Sequence, residues 1–321
     1  MRKKFHTQIV LPAFSFLMIL GVSCNRNNSE VTKDVEQRSK SLDTIYTEKE
    51  PEPEPELIVN YSIDSLATAV LVDSFKTKYD DHQKAIIYAL NRIDASRVRP
   101  KTNLVIPDTL LADLNSYAPF PKNLDILNSI PKTVLIAQRI QAFALFENGK
   151  LVKWGPISSG KRKTPTPNGL HYGNYKAKQK ISTVNDAWKL PYYFNFMNFE
   201  GVGVHQYSLP GYPASHACVR LYMDDAQYIY DWAKQWELNP TGQKVVKKGT
   251  PFMVFGTYDY KSDAPWRQLA NDRLNNDLID EEIATLKDYA SQYDDYIKTT
   301  QPSDDLDKEL SLSEGTVVTY N

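Results

Sequence analysis

Cys218 stands in Pro213-Ala214-Ser215-His216-Ala217-Cys218-Val219-Arg220-Leu221, close after His205 and His216, in a chain with 2 cysteines and 5 histidines. A thiol becomes a nucleophile on losing its proton, and a neighbouring imidazole can take that proton. An isolated cysteine is as readily a small buried hydrophobe. Two histidines grouped with it shift the reading toward covalent chemistry. Gly201-Val202-Gly203-Val204-His205 alternates as a strand does, putting Val202 and Val204 on one face and Gly201, Gly203 and His205 on the other. Glycines flanking an imidazole leave a shallow trough for a substrate backbone. The turn-rich segment Ser208-Leu209-Pro210-Gly211-Tyr212-Pro213 can then bring Ser215, His216, Ala217 and Cys218 back beside the strand end. Cys218 is the expected nucleophile, His205 the base and then the acid toward a leaving amine. His216 orients the loop, and the backbone N–H groups of Ala217 and Cys218 are the natural oxyanion donors. Arg220 braces the loop or meets a substrate carboxylate. Tyr193, Phe194 and Tyr212 are candidate groove walls or, as aromatics, core residues.

The elements that position these groups lie behind an export-like start. Arg2, Lys3 and Lys4 precede an apolar run from Ile9 to Val22, shorter than the roughly 20 residues of a membrane span. Gly21 and Ser23 lead to Cys24. The pattern resembles a bacterial lipoprotein signal with Cys24 as the lipidated residue, although Gly21 stands where a branched aliphatic is usual. A retained N-terminal anchor is the alternative. Both place the rest of the chain outside the cytoplasm, and Asn25 implies, by the same resemblance, an outer-membrane destination. Cys218 is then left without a disulfide partner.

The formal net charge of -1 offers no electrostatic case for nucleic acid, and 41% hydrophobic residues with 20 Tyr suit one sizeable core with appendages. No His-x-x-x-His pattern or Cys/His cluster suggests a metal, and no cofactor is expected. Residues 25–56 end in alternating Pro and Glu from Glu48 to Glu56, a stiff, self-repelling spacer or a plain disordered tail. Residues 57–131 read as a helical N-terminal region. Ile63, Leu66, Ala67, Val70 and Leu71 recur at helical spacing, a second helix starts near Ala85, and Leu104-Val105-Ile106-Pro107 is a short strand. The stretch from Ala89 to Pro107 resembles the end of a LysM-type glycan-binding module. After Pro131 the chain turns to strands: Thr133–Ile136, Ala142–Phe146, Leu151–Trp154, Leu170–Tyr175 and Met253–Gly256, with Glu147-Asn148-Gly149-Lys150 as a hairpin turn. A helix follows Asp224, whose side chain and Gln227 form a capping box, with Ala226, Ile229, Ala233 and Trp236 as its inner face. Residues 259–321 read as a charged helical extension with a sparse stripe of Leu269, Leu274, Leu278, Ile283 and Leu286.

His205 to Leu221 resembles the active-site motif of the YkuD-type L,D-transpeptidases: a histidine, a spacer, then Ser/Thr-His-Gly-Cys, an aliphatic residue and Asn or Arg. His205, Ser215, His216, Ala217, Cys218, Val219 and Arg220 occupy those positions. Ser159-Gly160-Lys161, Thr166-Pro167-Asn168-Gly169, Leu190-Pro191-Tyr192 and Lys248-Gly249-Thr250-Pro251 follow the family's order, so the resemblance covers 132–258. It implies a mostly β catalytic domain, a YkuD-like sandwich or barrel with one or two short helices, between helical N- and C-terminal extensions. It also implies acyl transfer on peptidoglycan stem peptides through a thioacyl enzyme at Cys218, in the cell envelope. Ala217 replaces the family's glycine, and the spacer after His205 is shorter than in many members. If glycine serves there at positive φ, Ala217 strains the loop; an ordinary negative φ is expected, since every other catalytic residue is kept. Water as acceptor would make the enzyme an L,D-carboxypeptidase. A non-catalytic cell-wall-binding lipoprotein is the reading from another class, with Ala217 in its support.

Overall fold

The computed structural model describes residues 58–300, so the expectations for Cys24, the 25–56 spacer and the last residues lie outside the described part. Strands β1 (Tyr61–Leu66) and β2 (Thr102–Pro107) pair antiparallel around helices α1 (Ala69–Lys78) and α2 (Asp81–Asn91). The helical face expected from Ile63 to Leu71 does not form. Its first half is β1, with Ile63 opposite Val105, and Val70 is 76% exposed while Leu66, Val72 and Phe75 are buried. A strand partner far along the chain outcompeted local periodicity. Helix α2 does start as its residues direct, with Asp80 and Gln83 forming a reciprocal capping box. Buried Asn91 ties α2 to β2, donating to Val105 O and accepting from Val105 N.

Two sheets build the rest. Strands β3 (Thr133–Ala137), β4 (Ala142–Glu147), β5 (Lys150–Pro156), β6 (Gly169–Tyr172) and β13 (Pro251–Phe255) form a sheet in the order β5-β4-β3-β13-β6. Strands β7 (Lys176–Ile181), β8 (Lys189–Met197), β9 (Val202–Gln206) and β10 (Val219–Leu221) form the second, in the order β10-β9-β8-β7. Val134, Ile136, Phe143, Leu145, Phe252 and Val254 of the first sheet meet Phe194, Phe196, Val204, Val219 and Leu221 of the second. This is a sandwich core, in which each fully buried side chain of this size contributes about 1.5–3 kcal/mol. The opposite face of the first sheet is also covered, by Leu127, Ile130, Ile86 and Leu90 and by Leu286 and Ala290. Burial on both faces is why β3, after Thr133, and β13 are apolar runs rather than alternating.

The expected hairpin between β4 and β5 is present, with Asn148 and Gly149 both at positive φ. A small antiparallel pair, β11 (Glu237–Leu238) with β12 (Val245–Lys247), precedes β13. Helix α3 (Met223–Trp232) buries Ala226, Ile229 and adjoining Ala233 as expected, but Trp236 falls beyond its end. The Asp224 capping box is absent: Tyr222 is the cap residue and makes no side-chain cap, its hydroxyl donating instead to Ile93 O at 2.5 Å. Of the expected C-terminal helical extension, the described residues form a 3-10 turn at Pro265–Ala270 and helix α4 (Asp280–Thr300), with 271–279 irregular between them. Leu269 and Leu286 are buried, whereas Leu274 is exposed. The Arg139 guanidinium grips Glu282 with two bonds of 2.8 Å, fixing α4 to the β3–β4 corner.

Candidate active site

Parallel pairing of β10 with β9 sets the geometry. Val219 lies opposite Val204 and Arg220 opposite His205, which puts Cys218, one residue before β10, level with Gly203. Gly203 and His205 share a face of β9, so thiol and imidazole line one cleft, together with Lys180, Trp188, Tyr193 and Tyr207. Gly203 is required there: a Cβ would stand 2.5 Å from Phe194 O. The expected face changes at Gly201, which lies in the turn before β9 at φ 68. Its carbonyl faces the site, accepting from Tyr193 Oη at 2.7 Å and lying 3.8 Å from the Cys218 thiol.

His205 is 4% exposed, and its Nδ1 is 2.9 Å from Gln206 O. A carbonyl only accepts, so Nδ1 carries the proton and Nε2 is left as the base. Burial, reinforced by the nearby Arg220 charge, holds the imidazole down to about 4, the Gln206 bond offsetting part of this. Burial also pushes the Cys218 thiol up, against the Gly203 N–H and the charges of Lys180 and Arg220. Burial thus favours the uncharged forms of both groups, the thiol and the neutral imidazole.

His216 is half-exposed and plays a different part. Its Nε2 lies 2.7 Å from Lys161 Nζ, and since a lysine ammonium only donates, Nε2 accepts and Nδ1 holds the proton. That Nδ1 is buried and has no hydrogen-bond partner among the described residues. The ring packs on Trp188 with centroids 5.3 Å apart, and burial, with the charges of Lys161 and Arg220, lowers its basicity.

The turn carrying these groups is locked by backbone bonds. Ser215 N donates to Ser159 O at 3.0 Å and Ser215 O accepts from Lys161 N at 2.9 Å. Ala217 N donates to Thr164 O at 3.1 Å, and Ala217 O accepts from Thr166 Oγ1 at 2.7 Å. The first of these bonds removes Ala217 N–H from the expected oxyanion donors. The expected negative φ is also overturned: Ala217 sits at φ 75, in the left-handed region that costs an L-residue about 1–2 kcal/mol. Bonds on both sides of the residue hold it there.

Arg220 braces the loop, donating to Ser208 O at 3.3 Å and Ala214 O at 3.1 Å with its guanidinium over the Tyr207 ring. Tyr193 does wall the cleft. Phe194 is a fully buried core residue, and Tyr212 points outward, 53% exposed, offering only its carbonyl to Ser158 Oγ. The sequence pointed to Lys161 only as the end of the Ser159-Gly160-Lys161 run, with no place in the cleft, and did not point to Lys180, Trp188 or Tyr207. Lys180, Trp188 and Tyr207 carry no local signal.

Residues 132–267 match the family model YkuD, described as the L,D-transpeptidase catalytic domain. No curated protein matches the chain. Among solved structures, an L,D-transpeptidase from Stackebrandtia nassauensis is 24% identical, with 40% of this chain and 57% of that one covered and a TM-score of 0.32. One from Mycobacterium smegmatis is 21% identical over 39% and 59% of the two chains, TM-score 0.32. L,D-transpeptidase 3 from Mycobacterium tuberculosis, in complex with a faropenem-derived adduct, is 19% identical over 39% and 60%, TM-score 0.31. The chain thus spans less than two thirds of the length of these structures. The sandwich that carries His205 and Cys218 thus falls within the segment that matches the model of the L,D-transpeptidase catalytic domain.

Proposed function

We propose that this chain is a cysteine-dependent acyltransferase of peptidoglycan stem peptides, an L,D-transpeptidase. The observation that carries the reading is the meeting of Cys218 and the neutral, Nδ1-protonated His205 in one cleft of a YkuD domain. Cys218 gives its proton to His205 Nε2 as sulfur attacks the carbonyl of the third stem residue. The carbon–nitrogen bond breaks, His205 returns the proton to the departing nitrogen, and terminal D-alanine leaves a thioester on Cys218. An amine from a neighbouring stem then attacks the thioester, forming the cross-link and restoring the thiol. With Ala217 N–H engaged, the developing oxyanion falls to Cys218 N–H and His216 Nδ1–H. Three cations, Lys161, Lys180 and Arg220, have no carboxylate within ion-pair distance among the described residues, which suits a carboxylate-bearing peptide.

The setting proposed is the cell envelope, with the chain held by a lipid on Cys24. Among the described residues no helix is long and apolar enough to cross a membrane. Exposure to a carbapenem, an acyl-donor mimic, should add its mass to the protein, and Cys218→Ala should abolish the adduct. An adduct that survives in that variant removes Cys218 as nucleophile. Muropeptide analysis then separates the products: cross-linked dimers support transfer to an amine, and trimmed monomers support transfer to water.

A further inference from the structure

Residues 207–214 link the His205 strand to the turn holding Cys218, and part of their support comes from the β1-α1-α2-β2 unit, outside the 132–267 match. Asp94, just after α2, makes two bonds to one residue of this loop. Its Oδ2 accepts from Leu209 N at 2.8 Å, and its own N–H donates to Leu209 O at 3.0 Å. Leu209 is fully buried, so neither bond has ready replacement by water. Ile93 extends the contact as a bridge with Pro210. It is moulded against Gly211: that residue has φ 87, and a Cβ there would stand 2.9 Å from Ile93 Cγ2. Tyr222 of the catalytic domain clamps Ile93 O from behind, at 2.5 Å. Arg97 reaches Ser208 Oγ at 3.5 Å. Ser208 in turn accepts from Arg220, two positions after Cys218 on β10. A set of contacts thus runs from Asp94 to Leu209, and from its neighbour Ser208 to Arg220, which lies two residues along the chain from Cys218.

We propose that Asp94 is a positioning residue for Cys218: it pegs the 207–214 loop so that thiol and imidazole are held in reacting geometry. The N-terminal unit is then part of the catalytic scaffold rather than an appendage. The inference rests on the acyl-transfer reading of Cys218. Asp94 touches no reacting atom; misplacement on the scale of 1 Å is enough to cost about a hundredfold in rate.

The test compares Asp94→Ala, Asp94→Asn and Asp94→Glu in the full chain, with melting temperature measured for each. Readouts are the maximal rate and half-saturating concentration of carbapenem acylation, and the rate of Cys218 alkylation by iodoacetamide. Asn keeps an oxygen for Leu209 N–H, so it should acylate within about threefold of the parent. Ala should lower the maximal rate roughly tenfold to a hundredfold with little change in half-saturation. Glu, one methylene too long, should fall between. Equal maximal rates for folded Ala variant and parent would overturn the proposal, as would an Asn variant as slow as Ala. If Ala does not fold, Asn and Glu decide: equal rates overturn it, and a slower Glu supports it. If even the parent takes no acyl group, the acyl-transfer reading fails. Alkylation then carries the test, with a change in Ala and none in Asn supporting the peg and equal rates in both overturning it.

Discussion

The two histidines beside Cys218 sit in regions built on different principles. His205 lies on β9, a strand covered on both faces, and its chemistry is set by burial: the tautomer by Gln206 O, the low basicity by removal from water. His216 lies in a half-exposed turn with no strand ladder of its own, held by bonds from the 158–166 loop and by Lys161. The difference teaches that His205, the proposed proton-transfer group, is held by the core, while the turn is held by polar contacts that single substitutions can cut.

The largest effect expected from that contrast is on acylation by a carbapenem, followed by mass spectrometry. His205→Ala should slow it by about 10²–10⁴-fold, the usual worth of a general base. His216→Ala should slow it less, since the base remains. A His216→Ala variant that is dead beside an active His205→Ala would reverse the roles and undo the comparison.

The pH dependence sharpens it next. His205 must be unprotonated to act, and its folded value is held down to about 4, so the acid limb of the acylation profile should lie near 4 rather than near 6.5. The same depression links to stability. The unfolded chain binds the proton first, so this contribution is full above about 6.5 and is lost as pH falls from there to about 4. Urea midpoints of parent and His205→Gln should therefore converge over that window. An acid limb at 6.5 would show that the imidazole is more exposed to water than its burial indicates.

On the turn side, Thr166→Val cuts the hydroxyl's bonds to Gly160 N, at 2.9 Å, and Ala217 O, at 2.7 Å. Leaving buried groups unpaired should cost about 1–3 kcal/mol by urea unfolding, with slower acylation alongside. The smallest effect belongs to Ala217→Gly. Relief of the left-handed strain should raise stability by about 1 kcal/mol and change the acylation rate by less than roughly tenfold. If neither protein acylates while the strain is relieved, the non-catalytic reading takes the lead.

Much of the catalytic half was legible because its signals are local. Hydrophobic runs, the Asn148-Gly149 turn and the His205 to Arg220 spacing each declare themselves within a few residues, and all took the expected elements. Where the reading missed, the deciding partner lay far away in sequence. Ile63 joined a strand because Val105 was there to pair with it, and Asp224 falls inside α3, whose cap position is taken by Tyr222 with its hydroxyl on Ile93 O. Ala217 entered the left-handed region because Thr164 and Thr166 hold both its backbone groups, and Tyr212 turned outward with its carbonyl on Ser158. The amino-acid sequence by itself determined which groups could do chemistry and on what kind of element each would ride. Only the tertiary structure decided which N–H groups stay free, how far burial moves the imidazole and thiol, and that Asp94 grips the loop. Those properties depend on desolvation and on bonds between distant segments, and neither exists until the two sheets and the N-terminal unit have packed.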